Sequence, residues 1–415
     1  MLVSDHPPVH LTYCLNVHPG ETWEENLEAI KTKAVRVRDR VAPGREFGLG
    51  LRLGNIAAGA LSDSGALDRF RAFLEQNRFY VYTINGFPYG DFHSSPVKEK
   101  AYHPDWRSSE RRDYTIGLSE ILAELLPDGI SGSISTVPGS YKEWIRSESD
   151  RAGMVRNLMQ CVAHLSEIRE KTGKDLHIGL EPEPDCFLET TDETVAFFDR
   201  ELSQTGSRYL ARLKGCGETE AGEMIARHIG VCFDTCHMSL QFESLPESIN
   251  RLREKGIRIS KIQISAALKT ACTRKSLERL RDFCDPVYLH QVKARCEEKE
   301  IKSYGDLPEA LVLGLADSRD GEQWRIHCHV PLYFQGDDTL ESTSSGLTPD
   351  FFSFAIQSGC EHLEIETYTF NVLPKDLRTK GVVESVAAEY EWVIDRLPPE
   401  SEDSIINPGR ELYEI

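Results

Sequence analysis

What most limits how this chain can fold is an order: short apolar or β-branched runs recur, each followed by an amphipathic stretch. Strand candidates fall at His10–Val17, Phe47–Leu53, Phe79–Ile84, Gly129–Thr136, Leu176–Glu181, Ile229–Asp234 and Ser260–Ile264, with two more at Arg325–Tyr333 and His362–Thr367. Helical periodicity runs through Thr22–Val41, Ser108–Leu126, Asp150–Thr172, Asp192–Leu202, Leu245–Lys255 and Val382–Arg396. Thr22 and Glu25 have the spacing of a capping box. Repeated β-then-α order predicts parallel strands joined by right-handed crossovers. Nine candidates are one more than a (β/α)8 TIM barrel needs. Residues 269–324 carry charged, helix-like runs (TRKSLERLRDF, YLHQVKARCEEKE) and predict a helical insertion after the seventh strand, with the Arg325 run as an extra strand or extended loop on the rim. A doubly wound open sheet competes, but its phosphate signal is missing: Gly48-Leu-Gly50 lies within a strand and lacks the GxGxxG spacing. No low-complexity linker divides residues 1–415, which read as one domain with polar or charged ends at Met1–Val9 and Pro398–Ile415.

Charge narrows the function. With 67 acidic against 48 basic residues and a net charge of −19, the chain repels polyanions, which argues against nucleic-acid binding. Eleven cysteines at scattered spacings, without a CxxC, read as reduced thiols in a cytosolic core. The N-terminus lacks a basic segment followed by an apolar one, so no signal peptide is expected. No apolar run approaches the ~20 residues of a membrane span. The expectation is a cytoplasmic protein that works on a small molecule.

In a (β/α)8 barrel, polar residues at the C-terminal strand ends converge on one mouth. Those ends here carry Gly179-Leu-Glu181-Pro-Glu183, Val231-Cys-Phe-Asp234-Thr-Cys-His237, Lys261-Ile-Gln263-Ile-Ser265 and Leu363-Glu-Ile-Glu366. Acids closing apolar strands are costly to desolvate unless something positive joins them. Glu181, Asp234 and Glu366, with the amide oxygen of Gln263, suit a divalent cation; the oxygen-rich set favours Mn²⁺ or Mg²⁺, and a nearby imidazole would admit Zn²⁺. Glu183 is a weaker candidate, because Pro182 turns the chain and solvent exposure explains it equally well. His237 follows Asp234 by three residues and belongs to the rim. His327 and His329 share one face of an extended strand, a spacing that serves chelation or ordinary hydrogen bonding alike. His18 and Asn85, at the ends of the first and third strands, suit substrate contact or turn capping. Cys232 and Cys236 read as small apolar fillers. The aromatic loop from Asn85 to His93, continuing through Tyr102 and Trp106, suits a lid or a packing segment.

The run HIGVCFDTCHM resembles the sixth-strand motif of xylose-isomerase-like barrels, the superfamily of sugar isomerases, epimerases and endonuclease-IV-type enzymes. GLEPEP and LEIETYTF fit the same pattern. The series HLTYCLNVHPGETW, TINGFPYGDFH, GSISTVPGSYKE, KIQISAAL, HVPLYF and HLEIETYTFNVLP is similar to the TIM-barrel family of EboE-type metabolite traffic proteins, from bacterial gene clusters for secondary metabolites. The resemblance implies Glu181, Asp234 and Glu366 as metal ligands and His237 beside the substrate. Two departures stand out: Gln263 occupies the place where sugar epimerases carry a histidine, and Val137 the place where endonuclease-IV-type enzymes do.

Three functions remain open. The first is a metal-dependent isomerase or epimerase acting on a small polyol or carbonyl compound, with Glu181 and Glu366 as base and acid, His237 orienting an oxygen, and Lys269 neutralising charge. The second is a non-catalytic metabolite carrier, working with other proteins of its gene cluster. The third is metal-assisted phosphodiester hydrolysis, favoured only by His327 and His329.

Overall fold

The computed structural model describes residues 1–90, 92, 98–296, 300–317 and 321–398. Its centre is a ring of parallel strands: β1 (Pro8–Tyr13), β2 (Phe47–Arg52), β3 (Phe79–Asn85), β4 (Gly132–Thr136), β5 (Leu176–Leu180), β6 (Ile229–Asp234), β7 (Arg258–Ile264) and β8 (His362–Ile365). Neighbours pair in parallel from β2 through β8, and β8 pairs in parallel with β1. This is the expected (β/α)8 barrel, nearly closed. The seam lies between β1 and β2, where one parallel bridge joins Cys14 to Gly50 and Thr12 Oγ1 donates to Gly48 O at 2.8 Å. Below it the edge of β1 pairs antiparallel with a strand at Leu2–Asp5, so part of the polar N-terminus is built into the sheet.

Glycine is required at the seam. A Cβ on Gly50 would overlap the Glu364 carboxylate and stand 2.7 Å from Tyr13 O. The helices match their sequence signals. Thr22 Oγ1 accepts from Glu25 N at 3.2 Å while Glu25 Oε2 accepts from Thr22 N at 3.0 Å, completing the capping box. Longer helices run over Ser109–Leu125, Glu148–Thr172, Leu245–Glu254 and Val382–Ile394. Among the described residues no helix is long and apolar enough to cross a membrane.

Strand parity sorts the side chains. Ile262, Ile264, Leu363 and Ile365 belong to the hydrophobic core, while the alternate residues Lys261 and Glu364 meet inside the barrel. Lys261 Nζ lies 2.5 Å from Glu364 Oε2 and 3.2 Å from Thr83 Oγ1 on β3, across the barrel. Both ions are fully buried; burial works against the charged ammonium, but the Glu364 charge, the neighbouring Cys232 and Cys14 and the hydrogen bond to Glu364 together outweigh it and keep Lys261 protonated.

The insertion after β7 differs from the helical expectation. It contains helices at Arg274–Leu280 and Leu307–Asp317, but its frame is a five-stranded antiparallel sheet reaching from Leu268 to Ser342, beyond the expected limits of 269–324. The QVKARC run, expected as helix, is the strand Val292–Cys296. The reason is its period of two. Val292 and Ala294 lie opposite Ile326 and Trp324 on an apolar face, and a Cβ at Gly314 would strike the Trp324 ring, so the second helix packs there. Lys293 points the other way, to Asp185 and Glu189 at the barrel rim. The Arg325–Tyr333 run lies outside the barrel, as expected, but only Arg325 and Ile326 of it are strand, the end of Glu322–Ile326; His327 to Tyr333 continue as loop and turn, so His327 and His329 do not sit on a strand face.

Candidate metal centre at the barrel mouth

The strand ends deliver three acids to one place. Glu181 follows β5, its amide donating to Thr136 O at 3.1 Å. Asp234 closes β6 and caps the next helix, its Oδ1 accepting from His237 N at 3.0 Å and from Ser265 Oγ at 2.7 Å. Glu366 follows β8, and its Oε1 accepts from Asn16 Nδ2 at 2.8 Å and Asn85 Nδ2 at 3.0 Å. One oxygen from each of these acids lies within 4.8 Å of the others, and all three residues are buried.

Like charges this close cannot all stay ionised without a cation. Burial, then the repulsion of the neighbouring acids, pushes the carboxyls of Glu181 and Glu366 well above the usual range, with Lys261 acting the other way. Asp234 also suffers from burial, but His237, His329 and its hydrogen bonds hold it low. Glu181 Oε2 and Asp234 Oδ2 have no hydrogen-bond partner among the described residues, although both are sealed from solvent. Orphaned oxygens in an oxygen-rich set are the signature of a divalent-cation site, so the three acids fit the expected metal. Gln263 is fully buried beside Asp234 in the β6–β7 register; its Oε1 accepts from the Cys232 thiol at 3.1 Å and its Nε2 is also without a partner.

Histidines stand beside the acids, His237 within 4.0 Å of Glu181 and Asp234 and His329 within 3.9 Å of Glu366. His237 Nδ1 lies 3.0 Å from Pro182 O, and its Nε2 lies 3.1 Å from Nε2 of His327. His327 Nδ1 is 2.8 Å from Gln291 Oε1, and His329 Nδ1 is 2.9 Å from Glu366 O. Burial lowers the pKa of all three, that of His329 to about 4. Above them opens a cavity lined by Glu181, Glu183, His237, His327 and Glu366 and by Phe87, Phe92, Tyr102, Tyr288 and Tyr368.

Not every expected residue reaches this mouth. Asn85 does: it caps a turn by accepting from Phe87 N at 3.1 Å and also holds Glu366. His18 lies beside Tyr13, Nε2 to hydroxyl 3.0 Å, away from the cavity lining. Lys269 is on the insertion sheet, ion-paired with Glu341 at 2.9 Å and also outside the lining. Neither position follows from strand-end logic, because His18 lies past a turn and Lys269 belongs to the inserted sheet. Glu183 is buried rather than solvent-facing; it accepts from Tyr102 OH at 3.0 Å, and burial raises its pKa to about 8. The aromatic loop packs over the mouth through Phe87 and Phe92, while its Asp91 and His93 fall outside the described residues. Sequence reasoning missed Asn16, which lies in the turn of 3-10 helix after β1 where strand parity no longer applies, and Gln291, whose place in the insertion carried no signal.

No family model matches the chain, and no curated protein matches it. Solved structures do. The probable 3-DHS dehydratase AsbF of Bacillus anthracis is 12% identical, with 92% of this chain and 98% of that one covered and a TM-score of 0.47. The IOLI protein with a bound zinc atom is 13% identical over 94% and 98% of the chains, TM-score 0.47. A xylose isomerase domain protein from Planctomyces limnophilus is 13% identical over 84% and 88%, TM-score 0.45. The likeness is one of overall fold. At these values it carries no argument about chemistry, which rests on the side chains above.

Proposed function

We propose that the chain is a divalent-metal-dependent enzyme of the isomerase or epimerase kind, acting on a small polyol or carbonyl metabolite. The observation that supports this reading is the buried trio Glu181, Asp234 and Glu366, with an unpartnered oxygen on Glu181 and another on Asp234, at a cavity that Glu181 and Glu366 help to line. These three would hold the cation, and Gln263 would join them by turning its amide oxygen to the unpartnered side. The cation, Mn²⁺ or Mg²⁺ by its oxygen ligands, would act as a Lewis acid toward adjacent substrate oxygens and acidify the carbon between them.

The chain supplies the rest. Glu181 and Glu366 come from different strands and would act as base and acid through the carboxylate oxygens not engaged by the cation. Asn16 and Asn85 fix the Glu366 carboxylate in place through Oε1. His237, its Nδ1 anchored on Pro182 O, offers Nε2 to orient a substrate oxygen. Phe87, Phe92, Tyr102, Tyr288 and Tyr368 supply an aromatic wall against which the carbon skeleton of such a molecule would pack. With the EboE resemblance, the substrate is a secondary-metabolite precursor, handled in the cytoplasm alongside proteins of the same gene cluster.

Manganese binding tests the reading. Protein freed of metal and titrated with MnCl₂, followed by electron paramagnetic resonance, should bind close to one equivalent, and Asp234→Asn should abolish it. Failure of the wild type to bind manganese would overturn the proposal. Glu366→Gln then separates enzyme from carrier: loss of turnover with retained metabolite binding marks the enzyme, whereas a carrier has no turnover to lose.

A further inference from the structure

Two arginines of the inserted sheet lack the acids that surround most bases in so acidic a chain, with its 67 acidic and 48 basic residues. Lys293 and Arg295 of the strand Val292–Cys296 stand opposite Arg325 and Gln323 of Glu322–Ile326, and Lys269 stands opposite Arg325 on its other side. By strand parity these side chains share the face of the sheet that turns away from Trp324. Both lysines are neutralised, Lys269 by Glu341 at 2.9 Å and Lys293 by Asp185 at 2.9 Å and Glu189 at 2.5 Å. The arginines beside them are not. Among the described residues Arg295 forms no ion pair and no hydrogen bond, and Arg325 donates only to neutral acceptors, Gln323 Oε1 at 3.1 Å and the Ser239 carbonyl. Both guanidiniums lie instead on the Phe242 ring, Cζ of Arg295 4.2 Å and Cζ of Arg325 4.0 Å from its centroid. Two cations that share one ring repel each other. Burial, then the Arg295 charge, lowers the pKa of Arg325 to about 10.

We infer that Arg295, Arg325 and Phe242 form an anion site on the inserted sheet, apart from the cavity at the barrel mouth, that takes a phosphate dianion, free or carried by a small metabolite. Neither arginine lines that cavity. A guanidinium presents its N–H groups as a planar fork that matches two oxygens of a phosphate at once. Stacking on Phe242 holds the planes of both forks and leaves their edges for a ligand. Both arginines are half-buried, so an anion can reach them and is still screened less than on an open surface. Two uncompensated cations call for two negative charges. A phosphate group brings nearly that many at neutral pH, whereas a carboxylate brings one. The net charge of −19 turns away a polyanion, which leaves a small phosphate-bearing ligand. The site also has a place in the fold. Arg325 is tied to Ser239 in the helix Thr235–Leu240, which carries His237, and Phe242 lies just past its end. A bound phosphate would therefore clamp the insertion to the segment behind the candidate metal centre.

The test is isothermal titration calorimetry of the full chain at low ionic strength, freed of metal so that phosphate cannot bind through a cation. The probes are inorganic phosphate and glycerol 3-phosphate. The wild type should bind one equivalent with a submillimolar Kd. Arg295→Gln should weaken binding about tenfold or more, and Phe242→Leu, which keeps apolar bulk but removes the ring, severalfold. Binding of inorganic phosphate alone assigns the site to the free ion; glycerol 3-phosphate bound as tightly or more tightly assigns it to a phosphomonoester. No binding of either probe to the wild type would overturn the inference. Equal affinity in wild type and Arg295→Gln would overturn it too, by placing the anion elsewhere. Arg295→Gln breaks no hydrogen bond among the described residues; if its urea midpoint nonetheless falls, Arg295→Lys decides. That variant keeps the charge and the stem but loses the fork, and should still bind severalfold more weakly. The carboxylate trio takes no part, so a failure of manganese binding leaves this inference standing, and the reverse holds as well.

Discussion

Replacing Lys261 with methionine tests whether the mouth depends on the ion pair beneath it. Lys261 and Glu364 are both fully buried, 2.5 Å apart, and Glu364 Oε1 has no hydrogen-bond partner among the described residues. Without the ammonium, Glu364 becomes an uncompensated buried charge, which costs about 3–5 kcal/mol. Lys261 also holds down the carboxyls of Glu181 and Glu366, so its loss sends both further up. Lys261→Met should therefore lower the urea midpoint by the equivalent of ~3–5 kcal/mol and shift manganese binding to higher pH. Lys261→Met combined with Glu364→Gln, which removes the stranded charge with little change of shape, should recover more than half of the stability. A single variant costing under ~1 kcal/mol, the scale of an exposed pair, would refute the reasoning. So would single-variant losses that simply add in the double variant, since coupled partners are non-additive.

Other outcomes follow from the same geometry. Manganese affinity should rise from pH 6 to 8, by up to ~tenfold per unit for each proton displaced, because Glu181 and Glu366 must ionise to bind; a flat profile by electron paramagnetic resonance would contradict this. Glu389, buried against Thr367 Oγ1 and Leu332 N, has a carboxyl raised by burial from 4.5 to about 7. The folded state thus keeps a proton that the unfolded chain has lost, and its contribution, present in full below pH 4.5, disappears as pH rises through 7. Over that window it amounts to roughly 3 kcal/mol, and Glu389→Gln should flatten the decline in urea titrations. Gly50→Ala, driving a methyl into Glu364 and Tyr13 O at the barrel seam, should cost ~1–3 kcal/mol in the same assay.

How much of this was legible depends on the range of the interactions. Strand and helix order are local, so β2 and β6 appeared within a residue of their sequence signals, and the surplus strand candidate was correctly set outside the ring. The acids were legible too, because a charged residue closing an apolar strand is a local anomaly whose place in a barrel is fixed by topology. The insertion misled because VKARC alternates within a run rich in helix-forming Lys, Arg and Glu, and only its pairing with Gln323 and Trp324 selects the strand.

The sequence by itself determined the parallel barrel, the mouth and the three acids at its strand ends. Tertiary structure alone decided that Lys261 sits beneath them, that Lys269 and His18 stay away, and that His237 meets His327 from 90 residues off. The physical reason is that periodicity places a side chain on a face, whereas which faces meet is set by crossovers and by an inserted sheet that local propensity does not encode.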